Sequence, residues 1–262
     1  ELLKNMENSR VIAISNHKGG VGKTTSVVNL GAGLNKLGEK VLLIDLDAQA
    51  NLSQSLGFVE PERHIYGAIR GLYPLKDTIL TIEGISGLDV IPSTLDLSGA
   101  EIELSSETGR EYILKDLLEP VREAYSYILI DCPPSLSLLT VNALTVADEV
   151  FIPLQAQYLA LQGLTKLMEV IGKIQKRLNK DLRIGGVFIT QYDKRKILNR
   201  DVVEAINSHF PDKVFQTKIR DNIALAEAPS SQQDIFRYSE ISKGAEDYLE
   251  LSKEILNRKQ SN

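Results

Sequence analysis

The decapeptide Asn-His-Lys-Gly-Gly-Val-Gly-Lys-Thr-Thr, residues 16 to 25, decides the fold of this 262-residue chain. An apolar run over residues 11–14 precedes it, and a helical pattern over residues 26–37 follows it. A glycine-rich turn between a strand and a helix directs several backbone N–H groups and the positive helix end at one point. The segment is therefore predicted to bind a phosphate group.

The turn combines the residue types that phosphate binding needs. Its glycines, at positions 19, 20 and 22, allow the backbone to approach an anion closely. Lys23 can reach the terminal phosphates, and the hydroxyl of Thr24 can hold Mg²⁺. His17 replaces the first glycine of the usual Gly-x-x-x-x-Gly-Lys-Thr pattern, and a second lysine, Lys18, lies within the loop. The alternative, a plain turn with two surface lysines, is disfavoured by the strand and helix on either side.

The composition is that of an ordinary globular protein. The chain is 43% hydrophobic and 25% charged, and it is long enough to bury a substantial core. A single cysteine, Cys132, excludes an internal disulfide and suits a reducing cytosol. No stretch approaches the ~18 to 20 apolar residues of a membrane span, and residues 1–10 lack the apolar core of a signal peptide. We expect one domain over residues 1–262, with residues 1–10 as an N-terminal extension.

The charge is unevenly distributed along the chain. The formal net charge is −5, but residues 166–200 contain ten basic and three acidic side chains. That stretch therefore carries +7, and the rest of the chain carries −12. A basic region on an acidic protein can bind a polyanion locally while the remainder keeps the molecule soluble.

Short apolar runs alternate with helical patterns, which predicts an α/β fold with a mostly parallel, doubly wound sheet flanked by helices. Strands that are apolar nearly throughout are expected where both faces of a sheet are covered. The predicted strands are 11–15, 40–45, 88–92, 127–131, 149–153 and 183–191. The predicted helices are 24–37, 51–56, 110–118, 137–147, 163–178, 199–209 and 242–257. Ligands of such sheets bind at the carboxyl ends of the strands.

Two of the predicted strands end in aspartate, at Asp45 and at Asp131. An apolar strand that ends in aspartate beside a phosphate-binding strand typically orders Mg²⁺, directly or through water. Asp131 is the expected residue for that role, and a strand-end turn or a helix cap is the alternative. Asp45 and Asp47 are two positions apart, so in an extended strand their side chains would point the same way.

The segment Lys-Gly-Gly-x-Gly-Lys-Thr-Thr resembles the deviant Walker A motif of the ParA/MinD class of P-loop ATPases. In that class the additional lysine crosses a dimer interface and contacts the nucleotide bound by the partner subunit. The resemblance implies ATP hydrolysis, with ATP and Mg²⁺ as cofactors, and an ATP-dependent homodimer. The implied nucleotide-binding residues are Lys18, Gly19, Gly20, Val21, Gly22, Lys23, Thr24, Thr25 and Asn222.

Other segments extend this resemblance from residue 11 to residue 256. Residues 45–51, Asp-Leu-Asp-Ala-Gln-Ala-Asn, resemble the first switch of the family, usually Asp-x-Asp-Pro-Gln, with Ala48 in place of the proline. Further matching patterns lie at residues 131–135, 153–164, 222–230 and 243–248. The match is to the short, chromosomal-type ParA proteins, the Soj-like group, so no N-terminal helix-turn-helix domain is expected.

By resemblance, the catalytic residues are Lys18, Lys23 and Asp47. Asp47 would orient or deprotonate the attacking water, and Lys18 of one protomer would neutralise developing phosphate charge in its partner. Hydrolysis would then require a dimer. The implied metal-binding residues are Thr24, Asp131 and, through its waters, Asp45.

The resemblance also implies that ATP-bound dimers bind DNA without sequence preference, through basic side chains and phosphate contacts. Arg195 is the best single candidate, because the loop at residues 193–196 matches the place of a DNA-binding arginine in the family. One departure is Ala224, where many Soj-like sequences carry a DNA-contacting arginine; either Arg220 substitutes for it, or DNA affinity is weaker than usual in the family. The full expected set is Lys194, Arg195, Lys196, Arg200, Lys218, Arg220 and Lys243, and a solvated helix or loop surface is the alternative for each.

The function that follows is a cytoplasmic, nucleoid-associated partition ATPase, stimulated by a ParB-like centromere-binding protein. Its cargo, whether chromosome, plasmid, mobile element or protein cluster, stays open. A MinD-like membrane-positioning ATPase is the alternative. Proteins of that kind normally end in a basic amphipathic helix that inserts into lipid, so the C-terminal residues distinguish the two. The C-terminal pattern at residues 248–257 has two glutamates and favours a helix packed on the domain, without stable membrane insertion. A small-molecule kinase or ligase on the same fold is the third possibility, without a dedicated substrate motif.

Overall fold

The chain forms one mixed sheet in a computed structural model that describes residues 9–157 and 160–259. Residues 1–8 of the predicted N-terminal extension lie outside the described residues, whereas its last residue, Arg10, begins the first strand. Tyr158 and Leu159, in the 153–164 segment, also lie outside the described residues. The strands are Arg10–Ile14 (β1), Val41–Asp45 (β2), Leu80–Thr81 (β3), Leu88–Ile91 (β4), Tyr127–Asp131 (β5), Glu149–Gln155 (β6), Arg183–Tyr192 (β7) and Val214–Arg220 (β8).

Helices connect these strands. They are Lys23–Lys36 (α1), Asn51–Ser55 (α2), Ile65–Ile69 (α3), Ala100–Glu103 (α4), Ile113–Arg122 (α5), Leu138–Val146 (α6), Ala160–Arg177 (α7), Ile197–His209 (α8), Ile223–Glu227 (α9), Ile235–Ser239 (α10) and Lys243–Lys259 (α11). Short 3₁₀ turns occupy Leu75–Thr78, Leu95–Gly99, Leu104–Ser106 and Ala228–Ser231.

The strand order is β3-β4-β2-β5-β1-β6-β7-β8, and every neighbouring pair is parallel except β3 with β4. Residues of β1 alternate between two hydrophobic clusters, because successive side chains of a strand point to opposite faces. Helices α5 to α8 cover one face of the sheet, and α1 and α11 cover the other. The predicted α/β class and the mostly parallel sheet are confirmed.

The differences from the predicted elements have local causes. Strand β8 was not predicted, because Gln216, Lys218 and Arg220 make it half polar and it lies at the sheet edge. Helix α5 begins at Ile113 and not at residue 110, and it continues through Pro120 to Arg122. Its buried residues follow the spacing i, i+4 and i+7, which carries the helix past the predicted end at 118.

The last helix, α11, packs on the sheet as its pattern predicts. Tyr248, Leu251 and Ile255 are each at most 1% exposed and belong to the same cluster as α1. The hydroxyl groups of Tyr248 and Ser26 share a hydrogen bond of 3.0 Å, which joins α11 to the first turns of α1. Among the described residues, no helix is both long enough and apolar enough to span a bilayer.

Candidate nucleotide site

The sheet order brings the sequence motifs together at one edge. Strand β5 lies between β2 and β1, so Asp131 pairs in register with Asp45 on one side and with Ile14 on the other. The loop that follows β1 therefore begins beside both strand-end carboxylates. This is the carboxyl edge of a parallel sheet, where such folds bind their ligands.

The loop between β1 and α1 has the backbone that a phosphate cradle requires. Gly20 and Gly22 have φ angles of 73° and 85°, a backbone conformation that residues with a side chain rarely adopt. Helix α1 begins directly after this turn, at Lys23. The hydroxyl of Thr190, at the end of β7, donates to the Val21 carbonyl at 2.9 Å. Gln155 and Gln191 both donate to the Gly20 carbonyl, at 2.9 and 3.1 Å. Strands β6 and β7 thus hold the loop from one side.

Lys23 is only 7% exposed, although its side chain ends in an ammonium group. Its Nζ donates to the Lys18 carbonyl at 3.2 Å. Burial lowers the pKa of Lys23, and the negative charge of Asp131 opposes that shift. A further anion at this position, such as a phosphate, would stabilise the charged ammonium.

Thr24 and Asp131 form a direct pair. The Thr24 hydroxyl donates to Asp131 Oδ2 at 2.7 Å. The other carboxylate oxygen, Oδ1, is buried and accepts no hydrogen bond within the part of the chain that the structure describes. Burial raises the pKa of Asp131 well above its usual range, and the nearby charge of Asp45 raises it further. A cation here would satisfy the unpartnered oxygen and offset both effects.

These oxygen donors fit Mg²⁺. Over residues 9–157 and 160–259, no group of three or more histidine, cysteine or carboxylate side chains is arranged to hold a metal ion by itself. Mg²⁺ is usually bound by one or two carboxylates together with substrate phosphates and waters. Thr24 and Asp131 have the oxygen atoms that such a site needs from the protein, so the residues present fit this metal.

Asp45 has a different environment from Asp131. It is fully buried, and its Oδ2 accepts two hydrogen bonds from Ser53, one from the backbone N–H at 2.9 Å and one from the hydroxyl at 2.6 Å. Its Oδ1 accepts the backbone N–H of Asp47 at 3.2 Å. The expected support of Mg²⁺ by Asp45 through water stays a prediction. The hydrogen bonds that its carboxylate accepts come from Asp47 and Ser53.

Asp47 faces the cavity beside the phosphate loop, and its Oδ1 accepts the backbone N–H of Gln49 at 3.0 Å. The cavity has a volume of 730 Å³, within the range of small-molecule sites. The phosphate loop, α1, α2 and the chain around residues 228–233 form its walls. Of the predicted nucleotide residues, the lining contains Gly19, Gly20, Gly22, Lys23, Thr24 and Thr25.

Three predicted nucleotide residues lie outside this lining. Val21 is 1% exposed, with its backbone carbonyl bound to Thr190. The Asn222 side chain caps α9, accepting the Ala224 N–H at 3.0 Å. The structure instead brings Pro229 and its neighbours to the cavity wall, so the nucleotide contact implied for Asn222 by the resemblance is not part of this cavity.

Lys18 is the third of these residues. Its Nζ donates to Gln157 Oε1 at 2.8 Å and lies 3.5 Å from Gln155 Oε1, both at the end of β6. Its backbone N–H donates to Asn16 Oδ1, which fixes the direction in which it leaves the loop. The two lysines of one loop thus have separate surroundings: Lys23 lines the cavity, and Lys18 does not.

The predicted DNA-binding residues divide into two groups. A concavity of 510 Å³ brings together Lys194, Arg195, Arg220 and Lys243. Arg195 is 85% exposed and pairs with Asp193 at 2.9 Å, and its hydrogen bonds hold the pKa of Asp193 at about 2. The side chains of Lys196 and Arg200 are exposed outside this concavity, and the Lys218 ammonium lies 5.7 Å from the centre of the Tyr192 ring.

Arg220 is the most constrained member of the set. Its guanidinium contacts Asp247 and Glu246 on α11, each at 2.6 Å, and these contacts raise its pKa. Two carboxylates therefore already balance its charge. This pairing weakens the expectation that Arg220 replaces the arginine missing at Ala224.

Comparison with known proteins identifies the family. Residues 9–184 match the family model described as an AAA domain. The chromosome partitioning protein ParA of Caulobacter vibrioides is 47% identical over 253 residues, which cover 95% of this chain and 94% of that protein. The chain belongs to the ParA/Soj family. The sporulation initiation inhibitor protein Soj of Bacillus subtilis is 48% identical over 248 residues, covering 94% of this chain and 98% of that protein.

A solved structure agrees with this ParA/Soj assignment at the level of the fold. Cobyrinic acid a,c-diamide synthase from Mycobacterium smegmatis, crystallised with a bound ATP analogue and magnesium, superposes with a TM-score of 0.85 at 34% identity. The match covers 97% of this chain and 96% of that one. That protein holds a magnesium nucleotide on the same fold.

The sequence did not point to every residue that shapes the site. Gln155, Thr190 and Gln191 support the phosphate loop from the ends of β6 and β7, and Ser53 binds Asp45. Only the polar character of strand ends next to the loop strand could have indicated the first three. Ser53 carries no such signal, because its contact depends on how α2 folds back on β2.

Proposed function

We propose that this ParA/Soj protein is a Mg²⁺-dependent ATPase that forms an ATP-bound dimer, binds DNA without sequence preference and drives partition of a DNA cargo. The observation that carries the proposal is the divergence of the two loop lysines. Lys23 enters the cavity of its own protomer, whereas Lys18 lies outside that lining beside the end of β6. A lysine so placed is available to a nucleotide on a second protomer.

In this proposal the loop N–H groups and Lys23 bind the phosphates of ATP. Thr24 and Asp131 hold Mg²⁺, which supplies charge neutralisation to the phosphates. Two observations support this assignment: Asp131 Oδ1 accepts no hydrogen bond from any residue that the structure describes, and the Thr24 hydroxyl lies beside the same carboxylate. A nucleotide of this kind also suits the 730 Å³ cavity.

Asp47 orients or deprotonates the attacking water, and the position of Asp47 in the cavity lining supports this role. Lys18 from the partner subunit stabilises the charge that develops on the phosphates, as an arginine finger does when it is supplied in trans. Neither protomer is complete alone. Turnover is therefore slow until the dimer forms.

The DNA surface consists of the concavity around Arg195 and Lys243 together with the exposed side chains of Lys194, Lys196 and Arg200. Binding of this kind rests on phosphate contacts and weakens steeply with salt. A ParB-like protein at a centromere-like site stimulates hydrolysis and release. The protein then acts in the cytoplasm, on the nucleoid.

The alternatives have less support. Helix α11 buries its apolar side chains against α1 and β8, so its described residues do not offer an unpartnered amphipathic face for a MinD-like membrane contact. A ligase function is suggested by the name of the structural relative from Mycobacterium smegmatis, but that protein is 34% identical, against 47% and 48% for the two partition relatives.

Co-sedimentation with DNA and with liposomes, each with and without ATP, tests the proposal. We expect ATP-dependent recovery with DNA that is lost at high salt, and no recovery with liposomes of anionic lipid. ATP-dependent sedimentation with liposomes but not with DNA would favour the membrane-positioning alternative and contradict the proposal.

A further inference from the structure

Ser53 lies in the short helix α2, directly after the segment that contains Asp47. It is fully buried, and it is not among the residues that line the nucleotide cavity, although Asn51 and Gln54 on the same helix are. Ser53 therefore does not contact the nucleotide space itself. Its contacts are all with other residues of the protein.

The hydroxyl of Ser53 has a defined direction. It accepts the backbone N–H of Ser93 at 2.8 Å and donates to Asp45 Oδ2 at 2.6 Å. A backbone N–H can only donate, so the proton of the hydroxyl has to point at the carboxylate. The backbone N–H of Ser53 donates to the same oxygen at 2.9 Å. One oxygen of Asp45 is thus held from two directions.

The other oxygen of Asp45 holds the catalytic segment. Oδ1 accepts the backbone N–H of Asp47, and the Asp47 carbonyl accepts the N–H of Ala50 at 2.9 Å, just before α2 begins. Residues 45–53 therefore form a closed turn around the Asp45 carboxylate. The position of Asp47 in that turn depends on the orientation of Asp45, and the orientation of Asp45 depends on Ser53.

We infer that Ser53 is a positioning residue of the ATPase: through Asp45 it fixes the backbone of Asp47 at the cavity wall, and Ser93 at the end of β4 fixes Ser53. This inference rests on the proposed ATPase function and assigns a role to a residue that contacts no substrate. A catalytic carboxylate that moves by about 1 Å can lose on the order of 100-fold in rate. Nucleotide binding depends on the phosphate loop, which Ser53 does not touch.

The test compares Ser53→Ala with the wild-type protein in ATP affinity and in steady-state hydrolysis at saturating ATP. We expect kcat to fall roughly tenfold or more, with the Kd for a non-hydrolysable ATP analogue changed by less than about threefold. Ser252→Ala is the matched control. Ser252 is equally buried, its hydroxyl donates to the Tyr248 carbonyl on α11, and it lies outside the site, so its kcat should equal that of the wild type.

A second pair of variants isolates the hydroxyl from the packing. Ser53→Thr and Ser53→Val place side chains of nearly equal shape at the position, and only Thr retains the hydroxyl. We expect the Thr variant to turn over ATP faster than the Val variant by roughly the factor that separates wild type from Ser53→Ala. Equal kcat values for the Thr and Val variants would overturn the inference, whatever their melting temperatures.

A double-mutant cycle with Asp45→Asn decides whether Ser53 acts through Asp45. Ser53→Ala should have little further effect on kcat once Asp45 is Asn, because the two residues form one unit. Independent, multiplicative losses in kcat would contradict the inference. A wild-type protein that does not hydrolyse ATP would instead contradict the proposed function, so the two failures are distinguishable.

Discussion

At the scale of single residues, Asp45 and Asp131 lie side by side on neighbouring strands, but their carboxylates accept different hydrogen bonds. Asp45 accepts three hydrogen bonds from the segment that follows it, whereas Asp131 accepts the Thr24 hydroxyl at Oδ2 and no hydrogen bond at Oδ1 from any described residue. Asp45 therefore holds the segment of Asp47, and Asp131 keeps the oxygen that the proposed Mg²⁺ site requires. The sequence pattern singled out Asp131 for Mg²⁺, but it could not predict that Asp45 binds Ser53 and Asp47, since those contacts depend on the fold of α2.

The first prediction concerns how the protonation of Asp45 changes the stability of the protein with pH. Burial raises the pKa of Asp45 to about 6, above the value of roughly 3.9 that it has in the unfolded chain. The folded state therefore binds this proton more tightly, and the associated stability is present at low pH and lost as pH rises through about 6. Between pH 4 and 7, the free energy of unfolding of the nucleotide-free wild type should fall by on the order of 1 to 3 kcal/mol more than that of Asp45→Asn.

Urea unfolding at several pH values measures this difference in the free energy of unfolding. Asp131 titrates in both proteins, and removing the Asp45 charge reduces its shift, so it does not reverse the sign. Parallel pH profiles for the wild type and Asp45→Asn would contradict this prediction, because they would show that folding does not shift the pKa of Asp45.

A second prediction separates binding from chemistry. Lys23→Ala should weaken binding of an ATP analogue by roughly tenfold or more, because it removes the buried ammonium of the phosphate loop. Asp47→Ala should bind the analogue nearly as the wild type does and lose roughly 100-fold in hydrolysis. Titration with a fluorescent nucleotide and a phosphate-release assay give the two numbers. Wild-type turnover by Asp47→Ala would refute the assignment of Asp47.

At the scale of elements, the contact between α1 and α11 holds the phosphate-loop helix against the rest of the domain. Gly33 of α1 allows this approach, because a Cβ at that position would lie 2.4 Å from the Ser252 hydroxyl on α11. The sequence predicted both helices and the packing of α11, since its apolar residues recur at helical spacing. It could not predict which residue of α1 meets α11, because that depends on the crossing of two distant helices.

Gly33→Ala tests this contact. Alanine favours a helix over glycine by roughly 1 kcal/mol, so a purely local effect would stabilise the protein. We expect destabilisation of roughly 1 to 3 kcal/mol instead, because Ser252 must turn its hydroxyl away from the Tyr248 carbonyl. Chemical denaturation measures the change. The double variant Gly33→Ala with Ser252→Ala should recover part of the loss, and a Gly33→Ala protein as stable as the wild type would count against the close contact.

At the scale of the whole molecule, the fold brings together basic side chains that are distant from one another along the chain. Lys194 and Arg195 precede α8, and Lys243 begins α11, yet one concavity contains all three. The sequence predicted the basic region from composition and from the family pattern. It could not predict that carboxylates of α11 would pair with Arg220, because that pairing forms only when β8 and α11 pack together.

The charge arrangement gives a prediction for DNA binding in the presence of ATP. Arg195→Ala should weaken binding to unrelated duplexes equally, and the slope of log K against log salt should become shallower by about one unit. Arg63→Ala is the matched control, since Arg63 is also exposed and paired with an aspartate, Asp77, outside the predicted surface. Fluorescence anisotropy over a salt series measures both. An unchanged slope for Arg195→Ala would remove that residue from the DNA contact.

The most direct test of the central claim, a lysine shared between protomers, is a mixing experiment with Lys18→Ala and Asp47→Ala proteins. Each variant alone should be nearly inactive. When the two are combined before ATP is added, a mixed dimer has one site with an intact Asp47 and an intact Lys18 from the partner. Random pairing should then restore roughly a quarter of the wild-type ATPase rate. A mixture no more active than its separate components would show that Lys18 acts within its own protomer or not at all, and would contradict the account.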